Sequence, residues 1–171
     1  MYFNLPQIST ANMAFGRAEE LAARYFHLSF NELRKHRYDV KTLAHLEKHE
    51  VKGEVFAHLC RYRYKKDKDS DWLSEFNFYR VCLQDNRILD AVDRAGSFIK
   101  FSSLMLYIAT HELVHVIRFD RENIDFDASQ EDKSLEEEKV HAITRDMLRS
   151  LVLPDLGVVL DCFSDRYQLL N

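Results

Sequence analysis

Hydrophobic residues recur every three or four positions along much of this chain, the spacing that is typical of amphipathic helices. This pattern predicts an extended lead-in over residues 1–16 and a first helix over residues 17–30. It also predicts a helix that begins at Asp39 or Thr42 as its cap, and further helical structure over residues 51–62. The N-terminal part of the chain is therefore expected to be helical.

The pattern changes after a charged stretch at residues 65–70, which predicts a loop. Phe76–Leu83 is rich in aromatic and β-branched residues, which predicts a strand. Residues 87–95 fit either a hairpin partner of that strand or a short helix ended by Gly96, and we favour the helix. Ser97–Phe101 is then expected to form a second short strand.

Two long helices are predicted in the C-terminal half. Leu104–Phe119 is apolar on nearly all faces, which indicates a buried helix. An acidic surface loop is expected over residues 120–133. The second helix begins near Ser134, runs to about Leu151 and is stopped by Pro154. The residues that follow are apolar enough to pack on the domain.

The composition is that of an ordinary globular chain. Its 171 residues are 46% hydrophobic and 30% charged, which fits one domain with a real core. Glycine (4) and proline (2) are scarce, which favours helices over many short strands. We predict a single, predominantly helical α+β domain, with residues 1–70 as an N-terminal helical segment and residues 71–171 as the remaining core.

Charge and cysteine content narrow the functional classes. A formal net charge of −4 does not indicate a nucleic-acid-binding or membrane-binding surface. No apolar run reaches membrane-spanning length, and no signal peptide is recognisable. Cys60, Cys82 and Cys162 have no close spacing, so we expect reduced thiols and a cytoplasmic protein.

A metal-binding motif interrupts the apolar helix. His111-Glu112-Leu113-Val114-His115 matches H-E-x-x-H. Residues four apart share one helix face, so both imidazoles can reach one zinc ion, with Glu112 beside them to accept a proton. Burying these side chains without partners would cost several kcal/mol, and a metal ion in an open cleft would remove this cost. The alternative is a pair of hydrogen-bonded core histidines.

A hydrolytic zinc site needs a third protein ligand and an open position for water. The next helix offers Glu136, Glu137, Glu138 and His141, of which Glu137 is the best candidate. His141 lies one turn beyond Glu137, where it is expected either to hydrogen-bond a ligand or to be the third ligand itself. Glu137 also completes an S-x-x-E capping box with Ser134, so capping its own helix is the alternative role.

This constellation resembles the gluzincin group of zinc metallopeptidases, in which a later glutamate follows H-E-x-x-H. The resemblance covers about residues 76–150 and extends to the small intracellular IrrE-like proteins. His141 is a departure, because those families usually have aspartate or asparagine at the position four residues after the glutamate. The resemblance implies a zincin-like core, in which a small β-sheet packs on the motif helix and on the helix that carries Glu137.

The resemblance also implies a zinc-dependent peptidase that acts on a peptide or protein substrate. The three ligands would hold Zn²⁺ and lower the pKa of a bound water, and Glu112 would accept that water's proton. The expected strand near Phe98–Phe101 would pair with an extended peptide. Arg145 is a candidate for stabilising the oxyanion, with a surface salt bridge as its alternative role.

Two other hypotheses stay open. The same fold can serve as a non-catalytic, regulatory zinc-binding protein whose N-terminal segment binds a partner. The chain can also be a helical interaction domain without a metal. The sequence alone leaves the oligomeric state open.

Overall fold

This computed structural model describes residues 1–65 and 75–169, which form helices, one small mixed sheet and the loops that connect them. The predicted α+β, predominantly helical class is confirmed. In chain order the elements are α1 (Leu5–Tyr25), α2 (Phe30–Leu33), β1 (Tyr38–Lys41), β2 (Ala57–Lys65), β3 (Glu75–Leu83), α3 (Asp85–Ala95), α4 (Phe101–Asp120), α5 (Gln130–Arg149) and α6 (Pro154–Leu169).

The sheet has the strand order β1-β3-β2. β1 runs parallel to β3, and β2 runs antiparallel to it. The strand predicted at Phe76–Leu83 is confirmed as β3. The helices predicted after Asp39 or Thr42 and over residues 51–62 are wrong. The first is β1 followed by two 3₁₀ turns, at Leu43–His45 and Lys48–Glu50, and most of the second is β2.

The error over residues 51–62 has a physical cause. Apolar residues at Val51, Val55 and Leu59 happen to have helical spacing. In the fold, however, the side chains of β2 alternate between the two faces of the sheet, and pairing with β3 along its whole length decides the conformation.

The N-terminal lead-in predicted over residues 1–16 is also wrong, because α1 begins at Leu5. Asn4 caps this helix through a reciprocal capping box with Gln7, and a proline stands in its first turn. The helix ends at Tyr25, before the predicted end at residue 30. It packs along α4, which it covers with a stripe of small and apolar side chains.

The segment between β3 and α4 differs from prediction in one respect. The favoured short helix is confirmed as α3, and Gly96 ends it with a positive φ of 58°. The strand expected at Ser97–Phe101 is wrong, because a turn follows Gly96 and Phe101 already begins α4. The loop predicted at residues 65–70 lies outside the described residues, apart from Lys65 at the end of β2.

α4 is the centre of the fold. It is buried along nearly its whole length, as predicted, and α1, α3, α5, α6 and the sheet pack around it. The sheet takes β1 and β2 from the first 70 residues and β3 from the remainder, and α1 joins the same hydrophobic core as α4. The N-terminal segment is therefore part helix and part sheet. None of the described helices is long and apolar enough to cross a membrane.

Candidate metal centre

Helices α4 and α5 bring His111, His115 and Glu137 together at one point. The Nε2 atoms of the two histidines lie 3.2 Å apart. Glu137 places Oε1 at 3.0 Å from Nε2 of His115, and Oε2 at 3.3 Å from Nε2 of His111. Two imidazole nitrogens and a carboxylate therefore lie close enough together to bind a single metal ion.

These separations match those of ligand atoms around one zinc ion. With zinc–nitrogen and zinc–oxygen distances of about 2.0–2.1 Å, neighbouring donor atoms of a tetrahedral site lie about 3.3 Å apart. The three observed separations fall within a few tenths of an ångström of that value. By donor chemistry and by spacing, His111, His115 and Glu137 fit a zinc ion.

Glu137 does not cap its helix. α5 begins at Gln130, earlier than the predicted start at Ser134, and Ser129 caps it by accepting a hydrogen bond from the amide of Asp132. Glu137 consequently lies in the interior of the helix, facing α4. The alternative in which Glu137 closes a capping box with Ser134 is therefore wrong.

The three consecutive glutamates have three different environments. Glu136 is buried and forms a bidentate ion pair with Arg118 of α4. Glu137 faces the two histidines, and Glu138 is exposed. Of these three glutamates, Glu137 alone contacts the histidines of the motif.

The electrostatics of the cluster are dominated by Glu137. Burial alone would raise the pKa of Glu137, but the hydrogen bonds to His111 and His115 outweigh it and hold this pKa well below the usual range. Burial alone would lower the pKa of His115, yet the carboxylate of Glu137 raises it. The carboxylate of Glu137 is therefore ionised at physiological pH, and its negative charge favours a positive charge between the two rings.

His141 lies at the edge of the cluster. Its Nε2 is 3.9 Å from Oε2 of Glu137, and its Nδ1 is hydrogen-bonded with the hydroxyl of Tyr107. Burial, together with the charges of His111 and Arg145, lowers the pKa of His141 to about 3. The ring is therefore neutral at physiological pH, a form in which one nitrogen carries a proton and the other a lone pair.

The tautomer of His141 decides its role. If the hydroxyl of Tyr107 donates to Nδ1, the proton of His141 sits on Nε2 and points toward Glu137. If Nδ1 donates instead, the lone pair on Nε2 is available to a metal. His111, Glu137 and His141 form a possible metal-binding group, with ligand atoms within 4.8 Å of one another. The Nε2 atom of His115, however, lies 3.0 Å from the carboxylate of Glu137, whereas that of His141 lies 3.9 Å from it. Geometry therefore favours His115 over His141 as a ligand.

Glu112 lies beside the cluster and is 7% exposed. Burial raises the pKa of Glu112, while the positive charges of His111 and His115 act in the opposite direction. A carboxylate held in this way accepts a proton more readily than one in water.

Sequence reasoning missed two aromatic residues of the site. Tyr107 precedes His111 by one turn of α4, stacks on its ring and contacts His141. The spacing of Tyr107, His111 and His115 on one helix face was a signal that could have found it. Phe163 of α6 stacks on Tyr107 with ring centroids 4.1 Å apart, a contact that no local pattern predicts.

Within the described residues, the imidazoles of His111 and His115 make polar contacts only inside the cluster. The Nδ1 atoms of His111 and His115 are buried and have no hydrogen-bond partner in the described part of the chain. All the polar contacts described for the two rings are consequently within the cluster. Most zinc ligands anchor this far nitrogen on a carboxylate or carbonyl. Here packing holds the rings, with His115 stacked on Phe119.

Compared with protein-family models, with curated proteins and with solved structures, this chain shows no significant match. Its functional interpretation therefore depends on the site itself.

Proposed function

We propose that this protein is a zinc-dependent metallopeptidase, with His111, His115 and Glu137 as the metal ligands and Glu112 as the general base. The observation that carries the proposal is the convergence of the Nε2 atoms of His111 and His115 with the two carboxylate oxygens of Glu137, at separations of 3.0–3.3 Å, beside the buried Glu112. A gluzincin-like arrangement requires the same four groups.

Each residue has a defined task in this proposal. When bound, zinc supplies Lewis-acid chemistry that polarises a peptide carbonyl and acidifies water. Glu112 accepts a proton from water at a carboxylate oxygen and passes it to the leaving amine. Its raised pKa suits both halves of that transfer.

Two groups are available for the developing oxyanion. Arg145 lies one turn beyond His141 on α5 and was the candidate from the sequence. Tyr107 is the stronger one, because its hydroxyl already lies at the cluster and can donate a hydrogen bond. For the peptide itself, β2 replaces the strand expected at Phe98–Phe101, since β2 is an edge strand that can pair with an extended chain.

A peptide library tests the proposal directly. Purified zinc-loaded protein is incubated with a mixture of peptides, and new termini are identified by mass spectrometry. Glu112→Gln should lose cleavage by at least about 100-fold while keeping its zinc. The exposed Glu138→Gln is the matched control and should cleave like the wild type. Cleavage by Glu112→Gln at the wild-type rate would contradict the assignment.

A regulatory zinc-binding protein on the same fold is the second candidate. It is favoured by the enclosure of the site, where Glu112 and His115 are each only 7% exposed and Phe163 of α6 stacks over Tyr107. This candidate predicts zinc binding without cleavage in the library experiment. A protein purified without chelators that contains no metal would instead favour the third hypothesis, a helical interaction domain.

The proposal includes a cytoplasmic location. It is supported by the cysteines, because Cys60, Cys82 and Cys162 are all free thiols, as expected in a reducing compartment.

A further inference from the structure

A second cluster of metal-binding residues lies on the sheet. His58 and Cys60 are two residues apart on β2, so their side chains share one face. Cys82 of β3 is the direct cross-strand partner of His58 and lies on that same face. The cluster thus joins the two longest strands and uses none of the residues of the first site.

The spacing of these ligand atoms is that of a metal site. The sulfur atoms of Cys60 and Cys82 lie 3.8 Å apart, and Nε2 of His58 lies 3.7 Å from the sulfur of Cys60. For tetrahedral zinc, with zinc–sulfur at about 2.3 Å and zinc–nitrogen at about 2.0–2.1 Å, the expected separations are about 3.8 Å and about 3.6 Å. All three atoms lie within 4.8 Å of one another.

Strand register argues against a disulfide as the purpose of this pair. Cys60 lies opposite Arg80 and Cys82 opposite His58, so the two cysteines are diagonal neighbours. Diagonal residues of an antiparallel pair have Cα atoms about 7–8 Å apart, whereas disulfides span about 4.4–6.8 Å. A metal ion between the sulfurs bridges this distance without moving the strands.

Burial and protonation also suit a metal. Cys82 is fully buried, while His58 and Cys60 are half-buried, which leaves a path for an ion. The Nδ1 atom of His58 is buried and has no hydrogen-bond partner among the described residues. Burial lowers the pKa of His58 to about 4, so the ring is neutral at physiological pH. Neutral imidazole is the form that binds metals.

We propose that His58, Cys60 and Cys82 form a second metal site for a thiophilic d¹⁰ cation, Zn²⁺ or Cu⁺. Two thiolates and one imidazole are soft ligands that select these ions over Mg²⁺ or Ca²⁺. On binding, each thiol releases its proton to solvent, the sulfurs and one ring nitrogen donate electron pairs, and no redox change occurs. Burial raises the pKa of both thiols, so the metal must displace these protons and binding strengthens as pH rises.

Cobalt spectroscopy separates this site from the first one. Metal-free, reduced protein is titrated with Co²⁺, and thiolate-to-cobalt charge-transfer absorption in the near ultraviolet is recorded. Only the second site contains sulfur, so the double variant His111→Asn/His115→Asn should keep this absorption. Cys60→Ser and Cys82→Ser should lose it, and the matched control Cys162→Ser should keep it.

Zinc and Cu⁺ are then tested as the natural ions, by competition with a chelator under reducing conditions. Cys82→Ser should weaken binding of the preferred ion by at least about 100-fold. Circular dichroism checks the fold of each variant, and His58→Gln provides a second route if a cysteine variant unfolds. Absence of charge-transfer absorption in the wild-type protein, or its persistence in Cys60→Ser, would overturn the proposal.

Discussion

The Oε1 atom of Glu137 lies 3.0 Å from Nε2 of His115, although the two residues belong to different helices. The contact exists because α5 packs along α4 and because Ser129, well before Glu137, caps α5. Glu137 is therefore free of any capping role and faces the motif. This one relationship converts a pair of histidines on a helix into a three-residue centre.

The position of His141 predicts a graded effect of substitution. If His141 supports Glu137 without binding the ion, His141→Gln should weaken zinc binding by about 10–100-fold. His115→Gln, which removes a ligand, should weaken it further. Both are measured by chelator competition in a Cys60→Ser background, so that the second site does not contribute. Equal losses in the two variants would instead make His141 a ligand.

The ion pair between Arg118 and Glu136 predicts a large loss of stability. Glu136 is 3% exposed, and Nη2 of Arg118 lies 2.9 Å from its Oε2. Glu136→Ala leaves the guanidinium largely buried and unpaired, which should cost about 3 kcal/mol in the free energy of unfolding. Glu138→Ala is the exposed control and should change it by less than about 0.5 kcal/mol.

Urea denaturation measures both variants. Replacing the whole pair, Arg118→Met with Glu136→Leu, should recover most of the loss, because no uncompensated charge remains. If Glu136→Ala were as stable as Glu138→Ala, the pair would not contribute to the fold.

Glu50 predicts a specific dependence of stability on pH. Burial alone would raise the pKa of Glu50, but hydrogen bonds from the Tyr62 hydroxyl, the Glu47 amide and the Arg80 guanidinium lower it to about 2. A lowered pKa stabilises the fold above the ordinary carboxyl value of 4.5, and this stabilisation is lost as the pH falls toward 2. This stabilisation amounts to about 3 kcal/mol in the free energy of unfolding.

Unfolding experiments across this acid range test the effect. Glu50→Gln should be less stable than the wild type at neutral pH, and its stability should fall less between pH 4.5 and pH 2. If the free energy of unfolding fell equally with pH in the two proteins, Glu50 would not be the group responsible for the loss of stability in acid.

Two glycines should respond in opposite directions to alanine. Gly96 ends α3 with a φ of 58°, a conformation that is strained for any residue with a Cβ. Gly96→Ala should therefore destabilise the protein by about 1–2 kcal/mol. Gly16 is exposed inside α1, and an added Cβ meets nothing within 4 Å. Gly16→Ala should stabilise by about 0.5–1 kcal/mol. Stabilisation by both substitutions would contradict the strain at Gly96.

The motif itself could be predicted because it is local. His111, Glu112 and His115 lie within two turns of one helix, and the buried helix around them is evident from its apolar residues. Glu137 could be proposed from its type and position, but only the start of α5 excluded its alternative role as a helix cap. That start is set by Ser129, which caps α5. In the sequence, Ser134 is an equally good candidate for the cap, so the start could not be predicted.

The cluster of His58, Cys60 and Cys82 could not be predicted from the sequence, because its residues are not local. His58 and Cys60 meet Cys82 only through the pairing of β2 with β3, and the helix predicted over residues 51–62 excluded that pairing. Non-local contacts of this kind are decided by register, and a sequence pattern does not give register. The same holds for Phe163, which reaches Tyr107 only through the packing of α6.

The zinc affinity of two matched variants tests the central claim most directly. Metal-free protein carrying Cys60→Ser is titrated with zinc against a chelator, alone and with either Glu137→Gln or Glu138→Gln. These glutamates are neighbours in the chain, yet only Glu137 contacts His111 and His115. We predict that Glu137→Gln weakens zinc binding by at least about 100-fold and that Glu138→Gln leaves it unchanged. Equal affinities in the two variants would contradict the assignment of Glu137 as the third ligand.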